Sequence, residues 1–345
     1  MIRHLVLLAA LCLAAPAVAQ EAVTEFGAGQ TRMTVRSTTD IAVIRPVMEQ
    51  FAAANPDLVV GYEQWGSNNL FDDARAACAG QGTGADVVIS SGVQHLVWLV
   101  NADCARPYRS ELTAGLPPSR RWRDELWGVT EEPAVIIYNQ AALAAADVPR
   151  SRFALLDLMR ERPDMLTRRV ATYDIEESGL GYLLAHTDSL EATTFGAMLE
   201  SFSRIGAVAT CCSTEIIQAV AKGRFLIAYN VLGSYVASAT TPDVGVILPE
   251  DYTLILSRGF MIPRDAAQPE AAARLLDYLL SAPAQETLRR VGLVMPDDDG
   301  AESGLLQSAR RPIRLAPPLL VALDRHRRET LVGLWDRAFD MSGMP

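Results

Sequence analysis

From Met33 to Val291, short apolar strands alternate with amphipathic helices, and this alternation confines the chain to an α/β fold. Met33–Ser37, Leu58–Tyr62 and Asp86–Ile89 read as strands, separated by helices over Ile41–Ala54 and Asn68–Ala79 and followed by one over Val93–Val100. The pattern then repeats. Strands are predicted at Ala134–Tyr138, Val170–Tyr173, Phe225–Tyr229, Val244–Leu248 and Leu254–Pro263. Helices fall at Arg152–Arg160, Thr194–Ile205, Thr214–Lys222, Pro269–Leu280 and Pro283–Val291, with a basic amphipathic tail over Pro317–Phe339. Strands and helices at this spacing predict a mostly parallel sheet covered on both faces.

No linker divides the two halves, so they are expected to be lobes joined by strands. Trp127–Asn139 (WGVTEEPAVIIYN) supplies the first crossover, with Glu131, Glu132 and Pro133 interrupting two extended segments. The second is expected near Pro249–Leu256. Lobe 1 then comprises 30–130 and 250–295, and lobe 2 comprises 131–249 and 296–340.

The N-terminus carries Arg3 and His4, an apolar run from Leu5 to Ala15, and Ala17-Val18-Ala19, the pattern of a cleaved export signal over residues 1–19. Export places the chain in the periplasm, where cysteines pair. Cys78 and Cys104 flank the third strand of one lobe and are expected to bond; the adjacent Cys211 and Cys212 read as two thiols, at least one of them buried. A net charge of −10 argues against a nucleic-acid partner. Lys222 is the only lysine, which leaves Schiff-base and P-loop chemistry almost no place. His95 and His186 have no partner at metal-ligand spacing, and no metal or cofactor is expected.

Several segments taken in order resemble the ferric-iron-type branch of family 1 extracellular solute-binding proteins of ABC transporters. They are the export signal, EEPAVIIYN, ESGLGY, IQAVAKGRFLIAYN and VILPEDYTLILSRGFMIPRDAAQPEAAARLLDYLLSAPAQETL. The resemblance implies a two-lobed α/β clamp of type II, each lobe a mixed sheet flanked by helices. It would close on a solute as a monomer, without catalysis, and present it to a membrane permease or a sensor kinase. Iron-binding members carry adjacent tyrosines where this chain reads Tyr229-Asn230-Val231-Leu232-Gly233, so the residues favour a small organic anion, phosphorylated or carboxylated. Ferric iron or a ferric chelate is the second reading. A secreted enzyme using Glu131 and Glu132 as an acid–base pair is the third.

In such clamps the ligand sits at the carboxyl ends of strands. Thr38, Thr39 and Asp40 follow the first strand; Trp65, Ser67 and Asn68 follow the second; Ser90 and Ser91 follow the third. Together they would form a hydroxyl-rich rim. Ser178, Gly179 and Gly181 open a helix in the second lobe and offer N–H groups to an anion. Glu131 is a further candidate contact. Tyr229, Asn230, Ser234 and Tyr235 are expected to line the cleft as neutral donors, with Gly233 at positive φ in a turn that folds Tyr235 back toward Asn230.

Overall fold

The computed structural model describes residues 20–239, 241–295 and 306–339; the leader sequence expected at residues 1–19 lies outside them. The chain first forms β1 (Gln20–Gly27), β2 (Thr31–Ser37), α1 (Ile41–Ala54), β3 (Leu58–Trp65), α2 (Ser67–Cys78), β4 (Val87–Ser90), α3 (Val93–Asn101), α4 (Glu111–Gly115), β5 (Arg121–Trp122) and β6 (Leu126–Gly128). It crosses to β7 (Glu132–Asn139), α5 (Arg152–Glu161), α6 (Pro163–Leu166), β8 (Val170–Tyr173), α7 (Gly179–Glu191), α8 (Phe195–Ile205), β9 (Val208–Thr210), α9 (Ser213–Ala221), β10 (Ile227–Leu232), α10 (Gly233–Ser238), β11 (Val244–Ile247) and β12 (Thr253–Leu256). It returns through β13 (Gly259–Met261), α11 (Pro269–Leu280) and α12 (Ala282–Arg290), and ends with β14 (Arg310–Pro312) and α13 (Arg325–Phe339).

Two mixed sheets result, not the mostly parallel sheet that the strand–helix spacing predicts, because β1, β5, β6, β7 and β11–β13 bring in antiparallel pairs. The first runs β1-β3-β2-β4-β13-β6-β5; the second runs β14-β12-β7-β10-β8-β9, with β11 also paired to β7. β2 pairs in parallel with β3 and β4, and β8 in parallel with β9 and β10, so the strands central to each lobe deliver their carboxyl ends to one side. Met33, Val35, Val60 and Val87 are fully buried beneath helices of the first sheet, and Ile136, Val170 and Ile227 beneath those of the second. Side chains like these give about 1.5–3 kcal/mol each on burial.

The first crossing occupies residues 129–131. The second lies later than the sequence suggests. The apolar stretch expected as one strand is two: β12 pairs with β7 and β14 in the second sheet, and β13 pairs with β4 and β6 in the first. Ser257 and Arg258 therefore form the crossover, and 253–256 belongs with lobe 2. The physical reason is a local exchange of partners. Ser257 Oγ donates to Thr130 O at 2.6 Å, Thr130 Oγ1 accepts from Arg258 N–H at 2.8 Å, and Val129 N–H donates to Arg258 O at 3.0 Å. Glu132 stands beside this seam, fully buried, and takes Arg258 in a paired contact at 2.8 and 3.0 Å.

The tail is also divided. Pro317–Leu323 is a 3₁₀ turn, and Asp324 starts α13 by accepting from Arg327 N–H at 3.0 Å. Leu319 and Trp335 are buried, whereas the Arg325–Arg328 run is exposed. Cys78 and Cys104 are joined across a separation of 26 residues, a closure worth about 3–4 kcal/mol in the chain-entropy account. Cys211 and Cys212 are bonded to each other, and neither is buried, contrary to the reading of them as thiols with one in the core.

Candidate functional site

The two lobes meet along the ends of their parallel strands and form an open cleft with a cavity of about 330 Å³. Lobe 1 contributes Thr38, Asp40, Gln64, Trp65, Gly66, Ser67, Ser91 and, from β1, Glu21; lobe 2 contributes Tyr173, Ser178, Leu180, Cys211–Thr214 and Tyr235. A second cavity, of about 260 Å³, lies inside lobe 1 beside the Cys78–Cys104 bond.

Each wall of the shared cavity has a local cause. β2 ends in Ser37, and Asp40 then starts α1, its carbonyl accepting from Val43 and Ile44 N–H. The Asp40 side chain caps nothing on its own helix; it reaches across to accept from Thr214 Oγ1 at 3.1 Å. Thr38 Oγ1 accepts from Ser91 N–H at 2.9 Å and lies 3.1 Å from Ser91 Oγ, which ties the β2 and β4 exits together. Tyr173 Oη meets Ser213 Oγ at 2.6 Å, and burial pushes its phenol up to about 12. Tyr235 Oη donates to Thr38 O at 3.1 Å; burial raises this phenol too, against the opposing pull of Arg258, so it stays protonated. The α1, α2, α7 and α9 N-termini all open on this cavity.

Of the candidate contacts, Thr38, Asp40, Trp65, Ser67, Ser91, Ser178 and Tyr235 line the cavity. The others lie elsewhere. Thr39 is buried in the turn after β2 and Ser90 at the last position of β4; Thr39 N–H donates to Ser37 Oγ and Ser90 Oγ accepts from Gly92 N–H. Glu131 pairs with Arg120 at 3.2 Å on the outer side of the crossing, and Glu132 is locked to Arg258, so neither glutamate lines the cavity. Ser234 is fully buried and donates to Glu132.

Tyr229 and Asn230 turn away from the cleft for a reason the sequence conceals. The β10–β7 register slips between Ala228 and Val231, and the positive φ falls on Asn230, at 58°, instead of on Gly233. The bulge sends Asn230 Nδ2 and Tyr229 Oη to Asp188 Oδ2, within lobe 2. Tyr229 Oη also accepts from Arg152 Nε at 2.6 Å, and Tyr252 Oη donates to Asp188 Oδ1 at 2.7 Å. Arg152 and Asp188 are essentially unexposed.

Ser178, Gly179 and Asn68 make the seam between lobes. Ser178 Oγ caps α7 by accepting from Gly181 N–H at 3.0 Å. Gly179 N–H donates to Ser67 Oγ at 2.9 Å, and Gly179 O accepts from Gln94 Nε2 at 2.7 Å. Asn68 Nδ2 donates to the Glu176 and Glu177 carbonyls. A Cβ on Gly179 would come within 2.6 Å of His95 Cε1 and 2.8 Å of Asn68 Oδ1, so this glycine is there for the lobes' close approach. Gly181 packs against the Tyr173 ring.

His95 lies in the same seam, stacked on Phe71 with ring centroids 4.5 Å apart. Burial, aided by nearby Arg328 and opposed by a backbone bond at Ser67, pushes its imidazole down to about 4. Unfolded, it titrates near 6.5. The neutral ring's contribution to stability is therefore complete above about pH 6.5 and is lost as pH falls toward 4. We expect thermal stability to drop over that window and the slope to flatten in His95→Gln; equal slopes would remove His95 as the source. Asp72, Arg75 and Arg328 line the adjoining groove and set its background charge.

Glu21, Gln64 and the Cys211–Thr214 segment were not among the sequence candidates. The alternation in AVTEF is the available signal for β1, and the short VAT run before Cys211 for β9, whose carboxyl end places α9 at the cleft.

Two α/β lobes, linked by two adjacent crossings at 129–131 and 257–258 and by a third passage of chain between α12 and β14, and closing on a shared cavity at their strand ends, define a solute-binding clamp. The family model for bacterial extracellular solute-binding proteins matches residues 33–294, and the chain belongs to that family. It is similar to the substrate-binding protein of an ABC transporter from Agrobacterium tumefaciens at 30% identity, covering 94% of this chain and 100% of that one, with a TM-score of 0.85. The apo ferric ion-binding protein A of Pasteurella haemolytica matches at 18% identity (TM-score 0.68, 91% and 100% coverage). The periplasmic binding protein AfuA of Actinobacillus pleuropneumoniae, with exogenous fructose-6-phosphate bound, matches at 14% (TM-score 0.67, 91% and 100% coverage). Compared with curated proteins, the sequence finds no match. The chain is thus a periplasmic solute-binding protein of an ABC transporter.

Proposed function

We propose that the protein captures a small organic anion, phosphorylated or carboxylated, in the cavity between its lobes. It would then present the closed form to an ABC permease or a membrane sensor without chemical turnover. The observation that carries this reading is the convergence of four helix N-termini, those of α1, α2, α7 and α9, on one cleft between the lobes. N-terminal turns favour negative charge through their oriented N–H groups. Thr38, Ser67, Ser91, Ser178 and Ser213 add hydroxyls, and Tyr173 and Tyr235 remain protonated. Ligand dipoles and protein dipoles then replace water in a low-dielectric cleft.

The test is titration calorimetry with fructose-6-phosphate, citrate and ferric citrate, run on the wild type and on Tyr235→Phe. An organic anion should bind, and the variant should bind it more weakly by about 1–1.5 kcal/mol, because Tyr235 Oη fixes the closed position of Thr38. A visible phenolate-to-iron band with ferric citrate alone, lost in the variant, would replace this reading with iron capture.

A further inference from the structure

The Cys211–Cys212 bond does not staple the fold. It closes a ring through a single peptide bond, so it restrains no loop, unlike Cys78–Cys104 with its separation of 26. Its position is otherwise informative. Both cysteines line the cavity between the lobes, and Cys212 is exposed. Cys212 is held at φ 71°, a left-handed conformation that a side-chain-bearing residue adopts only when its surroundings impose it, and it forms the N-cap of α9. The next two residues make the contacts that place this corner of the cleft: Ser213 with Tyr173 in the same lobe, and Thr214 with Asp40 in the other.

We propose that Cys211–Cys212 is a reversible thiol–disulfide exchange site built into the ligand cleft, acted on by a dithiol. A thiolate of the dithiol attacks the exposed Cys212 sulfur, and a mixed disulfide forms as Cys211 leaves as a thiolate and takes up a proton. The second thiol of the reagent then attacks its own sulfur in the mixed disulfide and expels Cys212, which is protonated in turn. The protein gains two electrons and two protons, and the dithiol becomes a disulfide. Once the ring is open, nothing covalent holds Cys212 in the left-handed region. The first turn of α9 relaxes, Thr214 withdraws from Asp40, and the lobes part more readily. Exposed disulfides are the ones exchanged first, whereas Cys104 is buried within lobe 1.

The experiment titrates the oxidised full-length protein with dithiothreitol, alkylates it, and maps the peptides by mass. Cys211 and Cys212 should become alkylated at a dithiothreitol concentration at least tenfold below that needed for Cys78 and Cys104. Small-angle scattering of the selectively reduced protein should show a larger radius of gyration than the oxidised form. Cys211→Ser/Cys212→Ser should reproduce that radius with or without reductant, and its circular dichroism spectrum reports that it is folded. Three results would overturn the proposal. The first is alkylation of Cys211 and Cys212 in protein never exposed to reductant. The second is reduction of Cys78–Cys104 at the same or a lower concentration. The third is identical scattering before and after selective reduction.

Discussion

Arg258→Ala is expected to cost about 3–5 kcal/mol of folding stability, measured as the shift of the urea transition. Arg258 and Glu132 are each almost completely buried and bond in a forked pair at the place where both crossings pass. Removing the guanidinium leaves the buried Glu132 carboxylate with Thr130 and Ser234 as its side-chain donors among the described residues. Arg258 also donates to Thr38 O, so the substitution loosens the β2 exit that lines the cavity. Pairing Arg258→Met with Glu132→Gln should cost clearly less than Arg258→Ala alone, because no stranded charge remains. A cost as large as the single variant's would mean that packing, and not charge burial, sets the effect.

Asp188→Ala is expected to be as damaging, again by about 3–5 kcal/mol, and for a different lobe. One carboxylate there accepts from Arg152, Tyr229, Tyr252 and Asn230. Its loss strands a fully buried guanidinium, whose remaining partners are the Tyr252 carbonyl, the Tyr229 phenol and Asp251. Burial raises Tyr229 well above the usual phenol range, so its hydroxyl is not ionised to compensate. Tyr229→Phe removes only one donor–acceptor link and should cost about 1–2 kcal/mol. Its binding of any cleft ligand should match the wild type, because Tyr229 lies in the core of lobe 2. A large loss of binding in Tyr229→Phe with normal stability would return that residue to the cleft.

Much of the architecture could be read from periodicity. Short segments such as MTVRS, DVVI and AVIIY report strands, and the breaks at Asn55-Pro56 and Pro163 report helix ends. Periodicity says nothing about which sheet a strand joins. TLILSRGFM therefore reads as one strand although its halves belong to different lobes; the switch is made by side-chain bonds from Ser257 and Arg258 to Thr130 and Glu132, far away in sequence. The strand-exit rule led to Thr38, Asp40, Trp65, Ser67 and Ser91, all of which face the cavity. It failed where backbone geometry was unusual. A positive φ is anticipated at glycine, so Gly233 looked like the turn, and Asn230 took it instead. The Arg152–Asp188 pair was equally hidden, because each residue by itself reads as the polar face of a helix. Cys211 and Cys212 were visible as a pair, but their place at the cleft required β9, a strand of three residues.

The seam at Thr130 has a mechanical meaning. Two ribbons of chain cross between the lobes there, and Thr130 fastens one to the other through both its hydroxyl and its carbonyl. Two ribbons bonded over a short stretch, at Val129, Thr130 and Glu132, bend together more easily than they slide past each other. This arrangement favours a swing of the halves about the seam. Thr38, tethered by Arg258 at the pin, travels least. The bonds made by Asn68 and Gln94 to the opposite lobe are made by side chains outside the pin, so they act as a latch between the lobes. A modest change in those few bonds is geared into a wide opening, and capture and release can be set at the rim without disturbing either core.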